Sequence, residues 1–297
     1  SRETWAFDAR FDDRAPRPAS FAPTNRSPMR EPNPSPTADI ALARPLRPVA
    51  IVTGAGRRRG IGRAIALGLA ADGCAVVVHE RTSAPGARPD AEVEAGWEGA
   101  RSVVAELERC GSTGVSVEGD VRDPETAARL VDAAARLGDL AVLVNNHGTA
   151  GGANAHLAHE TPEDLWNETL SINLGSLRTL MAAVVPAMRS SNVADRSVVH
   201  LSSTAGHRAL ARYGAYCASK AGLLGLTRCV ALEGAEHGVT CNAINPGSVG
   251  TELIRLDVQR QIEAHGQGGS VDENFARIAA AMPQRRLIEP EEIAALT

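Results

Sequence analysis

The chain has 297 residues, 43% hydrophobic and 22% charged, with a formal net charge of −4 and a pI near 6.1. That balance gives no basic excess for nucleic acid, and no apolar run nears the roughly 18 residues of a membrane span; the start lacks an apolar signal core. The five cysteines are scattered without a CxxC pair and the eight histidines include no HExxH, so free thiols in a reducing cytoplasm are expected, and no metal site.

Residues 1–48 differ from the rest, holding nine of the 17 prolines and eight arginines. Segments such as Pro32-Asn33-Pro34-Ser35-Pro36 form neither helix nor central strand, so this part reads as a disordered or loosely attached extension. From Val49 the pattern becomes strand, turn, helix, repeated. Val49–Thr53 reads as a strand, Ile61–Asp72 as a helix and Ala75–His79 as a buried strand. Val93–Cys110 reads as a helix, Val115–Glu118 as extended, Pro124–Leu137 as a helix and Leu140–Asn145 as a strand. Glu163–Met188 reads as one long helix or two, Ser197–Ser202 as a strand, Tyr213–Gly234 as a helix and Val239–Asn245 as a strand. This alternation predicts an α/β fold over 49–297, a Rossmann-type doubly wound parallel sheet in a single domain.

Between the first strand and helix lies Thr53-Gly54-Ala55-Gly56-Arg57-Arg58-Arg59-Gly60-Ile61-Gly62. Glycines at such a turn let the backbone approach a pyrophosphate, and the helix N-terminus adds free N–H groups and a positive dipole end. Dinucleotide binding is the expectation, with Gly54, Gly56, Gly60, Ile61 and Gly62 at the phosphates. Glu80, 18 residues after Gly62, stands where a ribose 2′-OH contact would favour NAD; Arg81 and Arg59 could instead hold the 2′-phosphate of NADP. The arginines tip the reading to NADP as the preferred cofactor over NAD.

Only one lysine occurs, Lys220, against 30 arginines, and one of only two tyrosines, Tyr216, stands four residues before it. Arginine does not replace a compact ammonium of tunable pKa. The i, i+4 spacing puts both on one helix face, where an ammonium would favour the phenolate and lower the tyrosine pKa.

From Val49 onward the chain resembles the short-chain dehydrogenase/reductase family, single-domain type. The resemblance rests on six motifs in order: the Thr53–Gly62 turn, Asp120-Val121, Asn145-Asn146-His147-Gly148, Asn173, Ser203 with Tyr216 and Lys220, and Pro246-Gly247 with Thr251. It implies NAD(P)-dependent interconversion of a carbonyl and a secondary alcohol, with Asn173, Ser203, Tyr216 and Lys220 as catalytic residues. Tyr216 would be the acid/base, Lys220 would also hold the nicotinamide ribose, and Asn173 would help hold a water linking Lys220 to solvent. Asp120 would contact the adenine amine with Val121 beside the ring. Asn145 would stabilise the central strand and, with Gly148, line the cofactor cleft, and Pro246, Gly247 and Thr251 would face the nicotinamide. A small-molecule carbonyl or alcohol is the implied partner, and a homodimer or homotetramer the implied assembly. A dinucleotide-binding regulatory or scaffold protein without turnover is the alternative.

Three departures stand out. Five residues separate Gly54 from Gly60, where the family has three. His147 replaces the usual alanine of Asn-Asn-Ala-Gly, and its side chain is expected to turn outward, with a contact to substrate or cofactor as the alternative. The family also continues past Glu289–Ile293 with a helix and a last strand, which leads to the expectation that roughly 30 to 40 residues are absent. The segment Glu252–Pro283 falls where the family carries a substrate lid.

Overall fold

The computed structural model describes residues 47–81, 88–149, 156–265 and 268–297. The expected extension lies, from 1 to 46, outside the described residues. The chain divides at Ala43/Arg44, and the unit Arg44–Thr297 carries all the elements below.

Six strands build the sheet: β1 (Pro48–Val52), β2 (Ala75–Glu80), β3 (Gly114–Glu118), β4 (Asp139–Asn145), β5 (Arg196–Leu201) and β6 (Val239–Ile244). They run parallel in the order β3-β2-β1-β4-β5-β6, the doubly wound arrangement expected from the sequence. Its order reverses between β1 and β4, and the carboxyl ends of these strands open the crevice where such folds bind ligands. β2 is buried at all six positions, which is why it reads as a continuous apolar run rather than an alternating one.

The helices are α1 (Ile61–Ala71), α2 (Asp90–Glu94), α3 (Ala100–Arg109), α4 (Pro124–Leu137), α5 (Glu163–Leu170), α6 (Ser176–Arg189), α7 (Gly214–Ala235), α8 (Glu252–His265), α9 (Val271–Ala281) and α10 (Pro290–Ala294). α4 starts where the sequence says it should: the Asp123 carboxylate accepts from the Glu125 N–H at 3.0 Å, and Pro124 takes the first helical position. The single helix expected over Val93–Cys110 is instead two. Gly96 at φ 62° and Gly99 at φ 69° adopt left-handed backbone that ends α2 and precedes α3.

α5 and α6 form one continuous run interrupted by a π turn at Ser171–Gly175. Contrary to the expectation that no apolar run nears a membrane span, this run is long and apolar enough by length and composition to cross one. Here Leu180, Val184 and Met188 sink into the core beside Leu130, Leu143 and Val198, and Leu177 is buried as well. A second apolar layer, with Val52, Ile65, Val76, Val103, Leu107 and Val144, covers the other face. Leu143 is fully buried, so Leu143→Ala should cost about 2–5 kcal/mol of unfolding free energy, read as a lower urea midpoint. An unchanged midpoint would mean that this layer collapses into the space.

Candidate active site

Thr53 ends β1 with a hydrogen bond from its N–H to Val144 O at 3.0 Å. The next residue passes so close to β4 that a Cβ at Gly54 would lie 2.7 Å from His147 Cα. A Cβ at Gly56 would lie 2.2 Å from Glu80 Oε2, and one at Gly62 would lie 2.5 Å from Asn146 Nδ2. Asn146 holds this approach together: Nδ2 donates to Thr53 O and Gly54 O, both at 2.9 Å. α1 then begins at Gly60 without a side-chain cap and without an acidic residue in its first turn. Its leading N–H groups and dipole end suit an anion. A cavity of about 570 Å³ opens there and runs to Tyr216 and Lys220. A side-chain-free turn, an uncapped helix and an elongated cleft fit a dinucleotide.

Buried imidazoles brace the turn. His79 Nδ1 accepts from the Gly54 N–H at 3.3 Å, while Nε2 donates to Gly119 O at 3.1 Å. Burial lowers its pKa to about 4, so it stays neutral in this tautomer. His147 does not turn outward as expected. Its Nδ1 lies 2.8 Å from Thr53 Oγ1 and its Nε2 lies 2.7 Å from Ser176 Oγ. Ser176 donates to Ile172 O at 2.7 Å, so Nε2 carries the proton and Nδ1 faces Thr53 as an acceptor, while the Thr53 hydroxyl also lies 3.1 Å from Val144 O. Burial, chiefly, pushes the His147 pKa to about 3. This chain of bonds ties the glycine turn to the π turn that carries Asn173.

The two inserted residues are held from outside the motif. Arg57 Nη1 pairs with Glu92 Oε2 at 3.2 Å, the Arg58 N–H donates to Glu92 Oε1 at 2.8 Å, and Trp97 Nε1 donates to Gly56 O at 2.7 Å. Glu92 is 1% exposed, so α2 acts as a buried clamp on the turn. Glu92, Trp97, His79 and Asn146 were not among the expected site residues. A lone acid and a lone indole more than 30 residues downstream give no local signal of this role.

Of the expected cofactor residues, Gly54, Gly56, Arg59, Gly60, Ile61, Glu80, Arg81, Asp120, Val121, Gly148, Tyr216, Lys220, Pro246, Gly247 and Thr251 line the cavity. Gly62 lies behind the wall against Ala55 and Asn146. Asn145 is also off the wall: it is 1% exposed, faces His200 across the strand pair, and its amide has no hydrogen-bond partner among the described residues. Glu80 is occupied. Oε1 accepts from Arg88 Nη2 at 3.1 Å and from the Ala100 N–H at 3.0 Å, so the acid expected at a ribose caps α3 and neutralises Arg88. Asp120 is likewise engaged, by Arg122 Nε at 2.9 Å; the Arg122 hydrogen bonds, above all, hold its pKa at about 2.

At the far end, Ser203 hydrogen-bonds the Tyr216 phenol and its Oγ accepts from the Ala205 N–H at 3.1 Å. Lys220 Nζ donates to Leu201 O at 2.8 Å and lies 5.8 Å from the Tyr216 ring centroid. Burial raises the Tyr216 pKa and the Ser203 bond opposes this; the expected lowering by Lys220 is not among the causes. Burial lowers Lys220 itself to about 8. Asn173 sits just off the cavity wall. Its Oδ1 accepts from the Thr149 N–H at 2.8 Å and its Nδ2 donates to Ser219 Oγ at 3.0 Å. Gly148 leaves room between Asn173 and Lys220: a Cβ there would lie 3.2 Å from Asn173 Oδ1 and 3.6 Å from Lys220 Nζ.

The family model for short chain dehydrogenases matches residues 48–261. An acetoacetyl-CoA reductase of Shinella zoogloeoides is 34% identical over 249 residues, 83% of this chain and 87% of that protein. Among solved structures, a variant actinorhodin polyketide ketoreductase with NADPH is similar at a TM-score of 0.72 and 31% identity, covering 84% of this chain and 88% of that one. Carveol dehydrogenase from Mycobacterium avium in complex with NAD is similar at a TM-score of 0.72 and 25% identity, with the same coverages. The chain belongs to the short chain dehydrogenase family and is an NAD(P)-dependent oxidoreductase of that class.

Because Lys220 is the only lysine, its titration is directly observable. Protein labelled with carbon-13 at lysine Cε should show one side-chain resonance that shifts near pH 8 in the cofactor-free state. A midpoint near the ordinary 10.5 would mean that the ammonium is solvated.

Proposed function

We propose that this enzyme interconverts a carbonyl and a secondary alcohol, with Tyr216 as the acid/base, and that it prefers NADP(H) to NAD(H). The observation that carries the reading is convergence. Ser203, Tyr216 and Lys220 meet at one end of a cavity whose other end is an uncapped glycine turn. A bound nicotinamide would supply or accept the hydride. Ser203 orients the substrate oxygen by a hydrogen bond, and the Tyr216 phenol gives that oxygen its proton in reduction. Lys220, donating to Leu201 O, holds a positive charge behind the phenol, and Asn173 fixes the Thr149 backbone beside it. A phenol whose pKa is raised remains protonated through neutral pH, so carbonyl reduction is the direction it suits. Alcohol oxidation requires the phenolate.

Tyr216→Phe should lower kcat/KM for ketone reduction by about 10²–10⁴-fold, the usual weight of a positioned acid. Tyr213→Phe should cost far less; equal losses would overturn the assignment. In wild type, alcohol oxidation should climb with pH from about 6 to 10 while ketone reduction does not, because the folded protein holds the phenolic proton longer than free tyrosine does.

The cofactor preference rests on charge. Glu80 is spent on Arg88 and Ala100, while Arg59 and Arg81 line the cleft. NADPH should therefore bind tighter than NADH, and Arg81→Ala should weaken NADPH by about 10–100-fold, the worth of hydrogen bonds to a charged group, with little change for NADH. Tighter NADH binding in wild type, measured by fluorescence quenching, would reverse the assignment. The five cysteines are free, which suits a reducing cytoplasm, and a homo-oligomer acting on a small-molecule substrate is the assembly that accords with the family.

A further inference from the structure

The substrate end of the cavity is walled by α5, the π turn and α8, through Leu165, Ile172, Leu253, Ile254 and Leu256. Two acids interrupt this apolar wall, the exposed Glu168 on α5 and the half-buried Asp257 on α8. Asp257 on α8 lines the same cavity as Tyr216, and no residue of the expected machinery accounts for it. It is held in place: Gln261, one turn further along α8, donates from Nε2 to Asp257 Oδ2 at 3.0 Å and also donates to the Tyr213 hydroxyl. The Tyr213 ring stands edge-on to the Tyr216 ring at 6.5 Å between centroids. Carboxylate, amide, phenol and acid/base phenol thus form one connected row.

Building on the carbonyl reductase reading, we propose that Asp257 selects the substrate, accepting a hydrogen bond from a hydroxyl or amino group carried beside the reacting carbonyl. Gln261 uses only Oδ2, and among the described residues Oδ1 accepts no hydrogen bond. A half-buried carboxylate in an apolar wall is unfavourable unless its second oxygen is met by a donor. Burial pushes the Asp257 pKa up, and its charge raises the pKa of both Tyr213 and Tyr216. The acid is therefore close enough to be felt at the reacting phenol. A substrate donor would satisfy that oxygen, whereas a substrate carboxylate would be repelled. Arg260 also faces the cavity, and its charge partly offsets the effect of burial on Asp257, but it is exposed to solvent. Positioned donors of this kind discriminate strongly because a substrate without one leaves a buried polar group unpaired.

The test compares cyclohexanone, its alpha-hydroxy derivative and its alpha-carboxylate derivative with NADPH, in wild type, Asp257→Leu and Asp257→Asn. Wild type should favour the hydroxyketone over cyclohexanone by about tenfold or more in kcat/KM, the weight of one hydrogen bond to a charged group, and should take the carboxylate worst. Asp257→Leu should bring the hydroxyketone-to-ketone ratio close to one. Asp257→Asn, which keeps an acceptor and removes the charge, should retain part of that ratio and relieve the penalty on the carboxylate. A wild-type ratio near one, or a ratio unchanged in both variants, overturns the proposal. Absence of turnover for all three ketones would count against the reductase reading alone. Calorimetric binding of the same compounds to the NADP-loaded protein would then decide the role of Asp257 by the same ratios.

Discussion

Two strand tips meet with no side chain between them, and the site is built outward from that contact. Gly54 lies against His147 Cα where a methyl group would clash, so the first strand can turn over the end of the fourth without lifting from it. The contact is then locked by polar groups that each answer another. Thr53 receives the Asn146 and His147 N–H groups, and its hydroxyl lies within hydrogen-bond reach of the His147 ring and of Val144 O, and Asn146 closes onto the Thr53 and Gly54 carbonyls. The geometry of the phosphate end therefore follows from β1 and β4 rather than from a loop free to move.

The same lock reaches the chemistry. His147 passes its Nε2 proton to Ser176, and Ser176 bonds Ile172 inside the π turn. A π turn carries one more residue than an α turn, and here it brings Asn173 to Thr149 and Ser219. Ser219 in turn bonds the Tyr216 carbonyl. Hydrogen bonds and the Ile172–Asn173 backbone thus link the glycine turn to the backbone of Tyr216. Burial keeps the imidazole in this link neutral, with its pKa pushed down to about 3. The link does not titrate in the range where Lys220 does, so pH alters the charge near the phenol without loosening the frame.

Much of this architecture was legible in the sequence, because parallel strands buried on both faces declare themselves as short apolar runs and caps such as Asp123-Pro124 mark their helices. What was not legible has one physical cause: side chains whose direction is set by a partner far along the chain. An outward His147 was reasonable until Ser176 supplied an acceptor 29 residues later. Glu80 read as a ribose ligand because its position is right, but Arg88 and the start of α3 claim it first. The helix expected from Val93 failed more locally. Its apolar spacing was sound, and two glycines in left-handed backbone outweighed it.

The inserted arginines show how a departure from a motif is accommodated. Two extra residues in a phosphate-binding turn add backbone donors and positive charge where a loose loop would blur the site. α2 removes that freedom. Glu92, almost fully buried, takes both the Arg57 guanidinium and the Arg58 N–H, and Trp97 fixes the Gly56 carbonyl. A buried carboxylate with these two partners is favourable only while both are present, so turn and clamp stabilise each other. Of the three arginines, Arg57 is thereby directed to structure, while Arg59, on the cavity wall next to the α1 N-terminus, remains available to an anion. The longer turn is thus held in a fixed shape by α2 rather than left as a loose loop.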